Sequence, residues 1–425
     1  MKPMIHKFGG ASLRDATSIR NAGALITRLY HPGMVLVVSA LGKTTNELEQ
    51  IAGACFRREP QATELVLALQ KKHADLAREL LPPPALQPLL DALHNTLVEI
   101  DWVMEEERRE HYDYVYDQIV SLGEMLSTRL LAAYLQHLGL PVEWTDARDL
   151  IRTDNNYREA RIDWTLTREL TLRQYAALKP EKIMLTQGFV GGTSENFSTT
   201  LGREGSDYSA AILAYCLGAG SVTIWKDVDG VLNADPRYFP NTAVIPELTY
   251  HEAIEMTFYG ATVIHPKTIK PLQNSGIPLY VKSFVHPEEP GTCISAAPPR
   301  APLPPMLVLK TMQTLLSISP RDFSFIEEEN LSYIFSCFAR HQVRVHLMQH
   351  AAISFSACVE GREPLLYQCL QSLSERFRVL RNDEVQLLTI RHYTEPLVMQ
   401  YTGGKEVLLE QKTRGTGQWV MKKAL

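Results

Sequence analysis

The chain has 425 residues, 45% of them hydrophobic and 21% charged, with a formal net charge of −5. That length suits two or three domains. The negative balance argues against nucleic acid as a main partner, and no apolar run has the length of a signal peptide or membrane span. Six scattered cysteines without a CxxC pair argue against a disulfide framework or a zinc site, so a soluble cytoplasmic protein is expected.

Met4–Phe8 reads as a short strand running into Gly9-Gly10-Ala11-Ser12. From Asp15 to about Tyr30, apolar residues recur at helical spacing. Met34–Ala40 (MVLVVSA) has the continuous apolar pattern of a parallel strand buried on both faces, and it ends in a second small-residue loop, Ser39–Leu48. Residues 46–138 read as mostly helical, broken at Leu80–Pro88, with Glu124 in the first turn of a helix that begins at Ser121. Pro141–Asp154 reads as a strand and its exit. Gly188–Asp207 then reads as a Gly/Ser/Thr loop between the strand Glu181–Gln187 and a helix from Tyr208 to Ala219 closed by Gly220. Ser221–Trp225 is a strand before an acidic loop, Tyr250–Tyr259 a helix, and 260–283 a helix and a strand.

Residues 296–305 hold five prolines and read as a linker between domains at 1–295 and 306–425. Beyond it, LKTMQTLLSIS is a strand, FIEEENLSYIFSCFARHQV a helix, HAAISFSACVE a strand and LLYQCLQSLSERF a helix, with short strands from Val385. That order is βαββαβ-like.

Four strand ends carry loops of Gly, Ser, Thr and Lys: 7–12, 39–45, 188–207 and 226–237. Doubly wound sheets gather such ends on one side. Taken singly, each loop is ordinary turn chemistry. Together they bring Lys7, Arg203, Asp207, Asp227 and Asp235 into view, and backbone N–H groups at a helix start suit an anion. No GxxxxGK[ST] P-loop is present.

The motifs KFGGAS (7–12), VSALGKTTNEL (38–48), SLGEMLS (121–127), FSTTLGREGSDYSAA (197–211), KDVDGVLNADPR (226–237) and GATVIHPKTI (260–269) closely resemble, in order and spacing, those of aspartate kinases. The resemblance covers about residues 4–285 and implies the α/β amino acid kinase fold, a mainly parallel central sheet between helices. It also implies ATP-dependent phosphorylation of the side-chain carboxylate of L-aspartate, the first step towards lysine, threonine and methionine.

The same resemblance implies the roles. Lys7 and Asp207 are the expected catalytic residues. Thr45, Glu124, Arg203, Ser206 and Asp207 would hold aspartate, Arg203 at the α-carboxylate and Glu124 or Asp207 at the α-ammonium. Lys7, Gly9, Gly10, Ser39, Lys226, Asp227, Arg237 and Lys267 would bind ATP. Mg²⁺ would arrive with ATP and keep its waters, so no dedicated protein metal site is expected. The acceptor carboxylate is already ionised at neutral pH, so no general base is required.

Three positions depart from the family pattern: Glu204 for a glycine, Leu232 for an aromatic and Thr262 for a lysine. The C-terminal part resembles the ACT regulatory domains of these kinases, with one complete unit and a shortened second one, and implies a homodimer or higher homo-oligomer. His346 and Glu327–Glu329 differ from the lysine-sensitive pattern, which leaves open whether an effector binds. Other readings are a kinase for another small acidic amino acid, such as glutamate or acetylglutamate, and a non-catalytic amino-acid sensor.

Overall fold

A computed structural model describes residues 2–105, 111–261, 264–322 and 324–422; Thr262 lies outside the described residues. The chain divides into two compact units. The first is Met1–Val231 with Val244–Ile254 and Val263–Arg300; the second is Leu232–Ala243, Glu255–Thr262 and Ala301–Leu425. The division therefore differs from a single cut at the proline-rich linker. The reason is packing: Ala234 and Phe239 join an apolar cluster with Leu307, Leu388, Ile390 and Trp419.

In chain order the first unit holds β1 (Met4–Phe8), α1 (Ala16–Leu29), β2 (Val35–Val38), α2 (Thr44–Phe56), α3 (Gln61–Leu80), α4 (Pro83–Glu105), α5 (Tyr112–Val120), α6 (Leu122–His137), β3 (Val142–Thr145) and α7 (Trp164–Ala177). Next come β4 (Ile183–Gln187), β5 (Val190–Gly192), β6 (Ser198–Thr200), α8 (Gly205–Leu217), β7 (Ser221–Lys226), β8 (Glu247–Thr249), the start of α9 (Tyr250–Tyr259), which passes to the second unit at Glu255, then α10 (Pro266–Ser275), β9 (Leu279–Ser283) and β10 (Thr292–Ser295). The eight-stranded sheet runs β3-β4-β2-β1-β7-β9-β10-β8, and every neighbouring pair is parallel except β9 with β10. The uniformly buried VLVV of β2 lies near its centre. Phe8, Leu36 and Val38 meet Ile19, Leu48, Leu126 and Leu130 in the main core.

Gly188–Asp207 is not a plain loop. It contains the antiparallel hairpin β5–β6, which the buried carboxylate of Asp117 on α5 ties down. Asp117 accepts the Thr200 N–H at 2.8 Å, the Thr200 hydroxyl at 2.6 Å and the Arg158 N–H at 2.9 Å. Burial pushes its carboxyl up to about 6 despite these three donors. Asp117→Ala strands those donors and is expected to cost about 2–4 kcal/mol, measured by urea denaturation; a loss below about 0.5 kcal/mol would contradict this role.

Two helix boundaries shift from the sequence expectation. The helix expected to start at Tyr208 begins at Gly205, so Asp207 lies in its first turn and Glu204 is the N-cap; Gly218, not Gly220, is the C-cap. Helix α7 was not anticipated. It buries only Thr167, Leu170 and Thr171 and so lacks an apolar stripe to read.

The second unit holds β11 (Met306–Pro320), α11 (Glu328–Arg340), β12 (Arg344–Ala351), β13 (Ser354–Glu360), α12 (Leu365–Ser374), β14 (Phe377–Arg391), α13 (Glu395–Thr402), β15 (Val407–Lys412) and β16 (Thr416–Met421). Its antiparallel sheet is ordered β12-β13-β11-β14-β16-β15. The βαββαβ run is present from β11 to β14. Residues HAAISFSACVE span the hairpin between β12 and β13, and the strands expected from Val385 begin inside the continuous β14. The two long strands are shared: Thr314–Ile318 pairs with β13, while Gln386–Arg391 pairs with β16. Such an antiparallel sheet fits an ACT-like regulatory domain. No helix among the described residues is long and apolar enough to cross a membrane.

Candidate active site

Four parallel strands, β4, β2, β1 and β7, lie side by side and end on the same edge of the sheet. Their exits make a pocket of about 390 Å³. Lys7, Gly9, Gly10, Ala11, Ser39, Thr45, Glu124, Ser206, Asp207, Lys226 and Asp227 line it, with Phe189, Gly202, Glu204, Gly205, Trp225 and Phe284. That volume lies in the usual range for a small-molecule site.

The first floor element is the β1 exit. Gly10–Leu13 form one 3₁₀ turn directly after Gly9. The opening N–H groups of such a turn have no partner within it. A side chain at Gly10 would place its Cβ 2.8 Å from the Ala40 carbonyl oxygen, so only glycine lets the two loops close. Ser39 gives its N–H to the Phe8 carbonyl at 3.1 Å, which fixes its hydroxyl at the β2 exit.

The charges are concentrated at one point. Asp207, nearly fully buried, has its Oδ1 2.6 Å from Lys7 Nζ and its Oδ2 3.7 Å from Lys226 Nζ. Burial by itself raises the Asp207 carboxyl, but the two ammoniums, Lys7 foremost, outweigh it and hold the pKa below the ordinary carboxylate value. Three charges of which two are positive leave a net positive centre under the glycine turn, which suits a polyanion.

Glu124 is the opposite case. It is buried on α6, and its Oε1 accepts the Ala40 N–H at 3.2 Å while Oε2 has no hydrogen-bond partner. Burial pushes its pKa up to about 8, only partly offset by the Ala40 N–H and by Lys7. The raised value means Glu124 opposes folding increasingly as pH rises from its unfolded value towards 8. An unpartnered buried carboxyl facing a pocket is a ready receptor for a ligand cation.

Not every expected residue lines this pocket. Arg203 and Lys267 are exposed and lie outside its lining. Arg237 belongs to the second unit, where its guanidinium is forked on Asp235 at 2.6 Å. Conversely, Phe189, Trp225 and Phe284 line the pocket without belonging to the expected site set. The last two stand at the exits of β7 and β9, and that position was the available signal. No group of three or more His, Cys, Asp or Glu side chains forms a metal-binding cluster among the described residues.

Glu204 acquires a partner. Its Oε2 accepts the backbone N–H of His265 at 2.9 Å. The carboxylate is thereby turned to a donor across the pocket rim.

The sequence model of the amino acid kinase family matches residues 2–283. Lysine-sensitive aspartokinase 3 of Escherichia coli is 31% identical over 396 residues, covering 91% of this chain and 86% of that protein. The chloroplastic bifunctional aspartokinase/homoserine dehydrogenase 2 of Arabidopsis thaliana is 33% identical over 300 residues, 69% of this chain but 32% of its own length. The chain thus matches about a third of that bifunctional relative. The crystal structure of E. coli aspartokinase III in complex with aspartate and ADP superposes with a TM-score of 0.80 at 26% identity, covering 99% of this chain and 96% of that one.

Proposed function

Because the chain belongs to the amino acid kinase family, within its aspartokinase branch, we propose that it is an aspartate 4-kinase using MgATP. A side-chain carboxylate oxygen of L-aspartate attacks the γ-phosphorus, the bond from that phosphorus to the β,γ-bridging oxygen breaks, and ADP leaves with the electron pair. No proton moves at the acceptor, since the carboxylate is already ionised. Alignment of two anions and charge stabilisation then carry the rate.

The Lys7–Asp207–Lys226 group, centred on the buried Asp207 beside the glycine turn, is the observation that carries this reading. Lys7 stabilises the transferring phosphoryl. Gly9, Gly10 and Ser39 donate to phosphate oxygens, and Lys226 holds charge that develops on the leaving side. Asp207 holds both ammoniums in place. Asp227 at the rim suits the waters of a phosphate-borne magnesium. Glu124 takes the α-ammonium, Thr45 and Ser206 supply hydroxyls, and Arg203 takes the α-carboxylate by swinging in from its exposed position. Arg237 and Lys267 are not needed in this account. Copies would pair through the ACT-like second unit.

An ADP-release assay over aspartate, glutamate and acetylglutamate tests the reading. Turnover with aspartate is expected; turnover only with another acid, or with none, defeats it. Adding lysine, threonine or methionine to the same assay shows whether the second unit senses an amino acid.

Glu124 gives a separate expectation. Its proton, held up to about pH 8, must leave when an ammonium binds. The KM for aspartate is therefore expected to fall as pH rises from 6 to 8, by up to about tenfold per unit, and to level off above. In Glu124→Gln the slope disappears and KM rises about 100-fold, as for loss of a buried charged hydrogen bond. A wild-type KM that is flat across this range would remove the role.

A further inference from the structure

Glu204 lines the pocket, yet no step above requires it, and its placement is doubly unfavourable. Its backbone lies in the left-handed region, at φ 53° and ψ 28°, where a side chain crowds the following carbonyl. It also brings a carboxylate to the rim of an anion site. Non-glycine residues persist in such conformations when their surroundings hold them, and they concentrate at functional sites.

What holds Glu204 is visible. Its side chain does not cap its own helix. It reaches instead to His265, the N-cap of α10, and accepts that residue's N–H at 2.9 Å. The His265 N–H precedes the helix, so no helical carbonyl is available to it. Its ring Nδ1 meanwhile accepts the Lys267 N–H at 3.1 Å, completing the cap. The Glu204 carbonyl accepts the Tyr208 N–H at 3.1 Å and so closes the first turn of α8. One residue thus joins the starts of two helices, with Gly202 at φ +74° on its upstream side and Ser206 and Asp207 just downstream.

We propose that Glu204 is a positioning residue: a carboxylate clasp to His265 that fixes the Gly202–Gly205 turn so that Arg203 and Ser206 meet the acceptor amino acid. The acceptor's identity rests on the reading above; the clasp itself does not. With the turn fixed, only the Arg203 side chain has to move to reach a bound carboxylate. Less freedom is then lost on binding.

Two substitutions separate the clasp from strain and charge. Glu204→Gly tolerates the left-handed backbone and deletes the clasp. Glu204→Gln keeps an oxygen acceptor of the same reach without the charge. Steady-state kinetics and hydrogen–deuterium exchange over 202–206 and His265 are read on each full-length protein, with melting temperature as a folding check. The glycine variant is expected to melt no lower than about wild type, to exchange faster at those amides and to raise the aspartate KM about tenfold, with kcat and the ATP KM within about twofold. The glutamine variant is expected to restore both readouts to within about threefold of wild type. An aspartate KM or an exchange rate unchanged in Glu204→Gly overturns the proposal, and so does a glutamine variant that behaves like the glycine one. If the wild type turns over no amino acid, the proposed reaction fails, while the exchange comparison still decides the clasp.

Discussion

Lys7→Met is expected to lower kcat about 1,000-fold, the scale of removing a preorganised group that stabilises transition-state charge, while aspartate still binds. The ammonium is placed by β1, held 2.6 Å from Asp207 and set beside Gly9, and none of this depends on substrate. Such a group pays no reorganisation as charge develops on the phosphoryl. Methionine keeps the length and apolar stem and removes only the charge. Asp207 then retains Lys226 at 3.7 Å as its remaining close cation, so its carboxyl rises towards the value that burial alone would set. A folded pKa below the unfolded one contributes stability above the unfolded value and loses it as pH falls through the folded one. The variant should therefore lose stability, and its acid limb should move to higher pH. Thermal melts at pH 5 and 7 separate that effect from the kinetic one. A folded variant that turns over within tenfold of wild type removes Lys7 from the chemistry.

The features legible in the sequence were those written locally. The strand-exit loops announce themselves by composition, and the buried VLVV of β2 by its unbroken apolar run. Ten of the thirteen expected site residues lie in those loops or in the first turns of the helices beside them, and line one pocket. What was hidden depends on contacts between distant residues. Arg237 has the chemistry of a phosphate ligand, but Phe239 two residues on packs with Leu307 and Trp419, which carries that segment into the second unit. Helix α8 starts earlier than its sequence suggests because glutamate is an unusual occupant of a left-handed N-cap, and only the His265 N–H explains it. The sequence reads as short strands from Val385 on, because the polar middle of β14, Arg381–Glu384, looks like a turn. In the structure Glu384 has φ 56° and the pairing with β11 shifts register nearby, so a bulge absorbs the polar residues without ending the strand.

Gly188→Ala is the other change expected to have a large effect, and it acts without touching a charged group. Gly188 leaves β4 with its N–H on the Val38 carbonyl at 2.9 Å, and Phe189 beyond it gives its N–H to the Ser209 hydroxyl at 2.9 Å. Both ends of the residue are therefore fixed. A Cβ added there would come within 2.5 Å of Ser206 Cβ and 2.7 Å of Ser206 Cα. A backbone atom cannot rotate aside, so the first turn of α8 must retreat, and Asp207 in that turn must lengthen its contact with Lys7. A displacement of about 1 Å at such a site costs on the order of 100-fold in rate, and overpacking of this kind costs about 1–3 kcal/mol. The expected result is a kcat/KM for aspartate about 100-fold below wild type, with a stability loss of about 2 kcal/mol in urea denaturation. Gly220→Ala is the matched control, because its added Cβ would meet Lys2 Cβ at an ordinary 3.6 Å. If both variants keep kcat/KM within threefold of wild type, the close approach of β4 to α8 is not what holds Asp207 against Lys7, and the charged centre must be positioned from the β1 side alone.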